Sequence, residues 1–195
     1  MKKGLLVGMT TLLFWIALPS PCCCGPIFEE RGTLTVGGFA QYGMLAGDAT
    51  AVDEYDKGVG YGMRLRYNLG RDRALGISLE NQTFEAVPAP PGDDQPRKLK
   101  IALITMDYIF YFERRSTLTR YLTFGAGVHH PGREYHLNSI IGPDGLVLTA
   151  GGGFEYFFHK LTSLDVSVRA YGLFGQDGLM GTAQAAAGIN FYIID

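Results

Sequence analysis

The stretch GVGYGMRLRYNLG, residues 58–70, separates into two kinds of residue when every second position is read. Val59, Tyr61, Met63, Leu65, Tyr67 and Leu69 form one set; Gly60, Gly62, Arg64, Arg66 and Asn68 form the other. A period of two places the sets on opposite faces of a β-strand. The alternation returns at roughly 33–44, 58–69, 73–85, 98–112, 117–129, 145–158, 163–174 and 181–193. The pattern predicts eight strands, longer than the five or six residues usual in globular sheets and long enough to cross a bilayer at a tilt.

The predicted connections alternate in length. Gly70–Asp72, Glu113–Ser116 and His159–Thr162 are short, whereas Leu45–Lys57, Ala86–Arg97 and His130–Asp144 are long, with Gly175–Met180 a shorter member of that second set. Tight turns on one rim and long loops on the other are the pattern of an up-and-down barrel in an outer membrane, with both termini on the short-turn rim.

One face of the predicted strands is almost wholly apolar. It carries Ile104, Met106 and Phe110 on the fourth strand, Leu122, Phe124 and Val128 on the fifth, and Ala185, Ala187 and Ile189 on the eighth. Arg120 is its one charge, near a short turn, where it can snorkel to the interface. Tyr67, Phe110, Phe112, Tyr156, Phe158 and Phe191 cluster beside the short-turn rim as an interfacial girdle would. The opposite face carries Arg64, Arg66 and Arg169 against Glu80, Asp107, Glu155 and Asp165, among glycines and small polar residues. Ile101, Leu103, Ile109, Tyr121 and Phe157 interrupt that polar register. In a membrane barrel the polar face points inward and its charges must pair, so these seven residues are the expected interior ionic network.

The first residues do not belong to this pattern. Lys2 and Lys3 precede an apolar run, Leu5–Leu18, that is short for a membrane helix and has the form of a secretory signal peptide. The expected organisation is a signal peptide at 1–25, a periplasmic segment at 26–32 and a barrel at 33–195. Cys22, Cys23 and Cys24 are consecutive and are the only cysteines, so no disulfide framework is expected. The formal charge of −2 offers no basic surface for nucleic acid.

Candidate chemistry is sparse. His129, His130, His136 and Ser139 cluster around one long loop with Glu134 and Asp144 nearby; His129, His136 and Ser139 are the candidates for a catalytic group, and the histidines show no spacing that would define a metal site. The glycines of GVGYGM and AGGGFEY lie inside strands and lack the following helix that a phosphate loop needs. No cofactor is expected.

Over about residues 32–195 the chain resembles the small eight-stranded outer-membrane barrels of Gram-negative bacteria, the OmpA/OmpX-like group. The ending AAAGINFYIID is similar to their C-terminal assembly signal, with Gly188, Phe191 and Ile193 at the matching positions; Ala186 and Asp195 depart from it. The resemblance implies an all-β, up-and-down transmembrane barrel in the bacterial outer membrane with a side-chain-filled interior. It implies outer-membrane lipid, lipopolysaccharide and the barrel assembly machinery as partners, and a non-enzymatic structural or surface-interaction role through the long loops. Some relatives act on lipid A, which leaves a deacylase-like enzyme as an alternative. A soluble, exported lipocalin-like barrel is the other, with its polar face outside.

Overall fold

The computed structural model describes residues 32–47, 55–86, 98–112, 117–134, 139–141, 144–175 and 178–193. The expected signal peptide, most of the segment that follows it, and Cys22, Cys23 and Cys24 lie outside the described residues. The strands are β1 (Leu34–Gly47), β2 (Tyr55–Asn68), β3 (Arg73–Ala86), β4 (Lys98–Phe112), β5 (Leu118–Glu134), β6 (Ser139–Ile141), β7 (Gly145–His159), β8 (Thr162–Gly175) and β9 (Gly178–Ile193). Each strand of the wall pairs antiparallel with its sequence neighbour, and β1 pairs with β9. This closes an eight-stranded cylinder. Among the described residues the short β6 pairs with the far end of β5, Gly132–Glu134, along the edge that β7 occupies lower down.

The register sets the dimensions. From Gln41 on β1, pairing in one direction passes through Gly60, Gln82 and Ile101 to Pro131 on β5. In the other direction it passes through Ala186, Ser167 and Gly153 to Tyr121, ten residues away on the same strand. With about 3.3 Å per residue and about 4.8 Å between strands, that stagger inclines the strands by about 40° and gives a radius of about 8 Å. Such a cylinder is narrow enough for side chains to fill.

The strands outrun the lengths that the alternation predicts. β1 has 14 residues and β5 has 17. At this tilt 14 residues rise about 35 Å, beyond the roughly 25 Å apolar band of membrane barrels. The excess stands mostly at the long-loop rim, where exposed Lys57, Lys98, Lys100 and Glu85 replace the apolar residues of the outward face. Backbone pairing continues there after the hydrophobic alternation has stopped, so parts of the predicted loops at 45–57 and 130–144 are strand.

The two faces divide strictly. Outward-facing Val59, Tyr61, Met63, Ile104, Phe124 and Val168 are exposed, while all seven charged residues of the opposite register are buried, none more than 4% exposed. Arg120 faces outward at the short-turn end, paired in register with Phe112 and Phe154. On the inner face of β2, glycines admit neighbouring side chains. A Cβ at Gly58 would strike Phe84, one at Gly60 would strike Gln41, and one at Gly62 would strike Phe39. The missing side chains of β2 are thus filled by those of β1 and β3.

Candidate functional site in the barrel interior

The interior is layered. At the short-turn end Ala74, Ile109, Tyr111 and Tyr121 form one apolar cluster, and Phe157 stacks on Tyr192 with ring centroids 5.3 Å apart. At the long-loop end Tyr55, Phe84, Ile101, Leu103, Tyr171 and Leu173 belong to a larger one. The charged residues lie between. The apolar residues that interrupt the polar register in the sequence are therefore the material of these clusters. Ile101 and Leu103 belong to the upper cluster, Ile109 and Tyr121 to a lower one, and Phe157 to the stack with Tyr192.

The charges pair across the barrel. Arg66 reaches Glu155 at 2.9 Å and Asp165 at 2.9 Å, and Arg64 reaches Asp165 at 3.1 Å. Tyr121 donates its hydroxyl to Asp165, and Tyr192, Ser163 and Asn190 donate to Glu155. The guanidiniums also lie over rings, Arg64 4.6 Å from the centroid of Phe39 and Arg66 5.1 Å from that of Tyr121. A second group sits nearer the long-loop end. Arg169 is 3.2 Å from Asp107 and 3.6 Å from Glu80. Thr149, Ser78 and Thr105 donate hydroxyls to Asp107, while Tyr171 donates to Glu80. Seven ionisable groups are thereby taken out of water in partnered form, the condition under which buried charge is tolerated.

Room for this network comes from glycine. A Cβ on Gly125 would collide with the Asp107 carboxylate and the Met106 carbonyl, and one on Gly151 would lie 2.9 Å from the Arg169 side chain.

The catalytic candidates are not assembled in the same way. His129 faces inward, is 5% exposed, and holds Nε2 3.3 Å from the Phe174 carbonyl. Ser139 lies on β6, in register with Glu134. His136 lies outside the described residues. His130, which stands with these candidates in the sequence, brings its Nδ1 to the Asp144 carboxylate on the exposed side of the long-loop rim. Among the described residues no group of three or more His, Cys, Asp or Glu is arranged to hold a metal ion. Gly188, Phe191 and Ile193 lie on β9, where Phe191 and Ile193 face outward and Gly188 packs against Phe39 and the Gly38 carbonyl.

A closed antiparallel cylinder with apolar residues outside and a paired ionic layer inside defines the class: a small β-barrel built like those of bacterial outer membranes. Solved structures share this fold. Neisserial surface protein A is 15% identical, with 83% of this chain and 99% of that one covered and a TM-score of 0.65. The outer membrane protein OprG from Pseudomonas aeruginosa is 12% identical over 86% of this chain and 98% of its own, with a TM-score of 0.59. Ail, the attachment invasion locus protein of Yersinia pestis, is 17% identical over 83% and 100%, with a TM-score of 0.55. No protein-family model matches the chain, and no curated protein matches it by sequence.

Proposed function

We propose that the chain is a non-enzymatic β-barrel of the bacterial outer membrane, anchored by its wall and acting at the cell surface through the long-loop rim. The observation that carries this reading is the inversion of the two faces. Exposed outward Met63, Val168 and Ile104 would be a wide apolar surface in water but are matched to lipid, while the buried arginines and carboxylates replace the usual apolar core. The outward lysines 57, 98 and 100 sit just beyond the apolar wall, at the level of lipid headgroups, and lipopolysaccharide and outer-membrane lipid are its surroundings on this reading. The barrel assembly machinery is its folding partner, with Gly188, Phe191 and Ile193 as the recognised segment. The resemblance to a protein described as an attachment invasion locus protein supports a surface-interaction role.

The test is fractionation and heat modifiability. Expressed with its leader in a Gram-negative host, the protein should sediment with the outer membrane. In detergent, the unboiled form should migrate differently from the boiled one. A soluble periplasmic protein with a single migration position would refute the proposal and favour the lipocalin-like alternative.

A further inference from the structure

The interior charges do not cancel uniformly. Toward the short-turn end, Arg64 and Arg66 face Glu155 and Asp165, two cations against two anions. In the upper group Arg169 alone faces both Asp107 and Glu80. It lies nearer Asp107, to which it donates a hydrogen bond, and its contact with Glu80 is the longest ion pair of the core at 3.6 Å. The neutral partner of Glu80 is the Tyr171 hydroxyl, which reaches both carboxylate oxygens. Among the described residues, one negative charge therefore stands uncompensated in a region shielded from water, a costly arrangement.

A second, independent feature sits beside it. Gln82 and Gln184 are 2% and 3% exposed, and neither the amide oxygen nor the amide nitrogen of either has a hydrogen-bond partner in the protein. The Thr182 hydroxyl is likewise buried and unpartnered. Gln82 stands one inward step above Glu80 on β3, and Gln184 is directly opposite Arg169 in the β8–β9 register. The incline of the strands brings Gln184, Glu80 and Arg169 to one height, within about 4 Å along the axis, with Gln82 and Thr182 about 5 Å higher. Buried amide oxygens normally find a partner. Here two of them and a hydroxyl stand at or just above the level of a carboxylate that carries surplus charge.

We propose that this level of the interior binds one monovalent alkali cation, held by the Glu80 carboxylate and the amide oxygens of Gln82 and Gln184. Oxygen-only donors suit a hard cation and not a transition metal. A single positive charge brings the upper group to neutrality, whereas a divalent ion would overshoot it. The inference concerns the interior alone and does not depend on the role proposed for the surface.

The experiment is refolding of the purified barrel from urea into detergent in sodium chloride, potassium chloride or choline chloride at one ionic strength, followed by thermal unfolding. Sealing the barrel in each salt fixes which cation the interior can take. The midpoint should be roughly 5 °C higher in at least one alkali salt than in choline. Glu80→Gln, which removes the surplus charge, should abolish the difference. Equal midpoints in all three salts would overturn the proposal. A difference that survives in Glu80→Gln would overturn it too, since the salt would then be acting elsewhere. If that variant does not fold, crystals of the unsubstituted protein grown in rubidium chloride decide: an anomalous peak beside Glu80 supports the site, and no peak there refutes it.

Discussion

Met63 offers the sharpest test of which solvent the wall faces. It is 62% exposed, points outward from β2, and is flanked in register by Gly38 and Leu79, near the middle of the apolar band. In a water-soluble barrel Met63→Arg would be a surface exchange worth less than about 0.5 kcal/mol. In a bilayer the same change puts a guanidinium near the midplane, where arginine on the lipid face costs about 2–4 kcal/mol. That range lowers the folding equilibrium constant by roughly 30- to 900-fold. The cost should fall with depth, so Leu69→Arg, at the short-turn rim, should cost no more than about 1 kcal/mol. The only tryptophan, Trp15, is not among the strand residues, so the folded fraction is best read from gel mobility and circular dichroism across a urea titration in phospholipid vesicles. If Met63→Arg and Leu69→Arg are equally harmless, the wall does not face lipid and the membrane reading fails.

Other outcomes follow from the interior. Arg66→Met leaves Glu155 and Asp165 with fewer partners and should cost about 3–5 kcal/mol in the same titration, and adding Asp165→Asn should recover part of that loss. No recovery in the double variant would mean that the two are not coupled. Gly125→Ala should destabilise by about 1–3 kcal/mol, because its Cβ meets a backbone carbonyl and the Asp107 carboxylate, whereas Gly70→Ala, with nothing within 4 Å of the added Cβ, should change stability by less than about 0.5 kcal/mol. The upper apolar cluster around Phe84, Ile101 and Leu173 packs inside the narrow wall, so planar-bilayer recordings should show no steady porin-like open level, and a persistent one would contradict a filled interior.

Much of the architecture was legible because a strand has an exact side-chain period. Once Arg64 and Arg66 share a face with Gly60 and Gly62, opposite Met63 and Leu65, every later strand can be sorted the same way, and the sorting follows the exposed and buried faces of the barrel. The seven charged residues of one face could be named without coordinates. Their pairing could not. Arg66 meets Asp165 across 99 residues of sequence, and Arg64 meets it across 101. The stagger of ten residues decides such meetings, because it sets which levels of distant strands coincide. The same stagger gathers Ile101, Leu103 and Leu173 into an apolar layer, although in the linear pattern the first two read only as interruptions. The extension of β5 to Glu134 was also hidden, since backbone hydrogen bonds continue where side-chain alternation gives no sign of them.

Local chemistry along the chain thus determined the strands, their faces and the inventory of interior charge, because alternation depends only on neighbours two residues apart. Closure of the cylinder decided who partners whom, how the interior is layered, and that Glu80 must share Arg169 with Asp107. Those are properties of the shear between strands, and shear has no signature in any single segment.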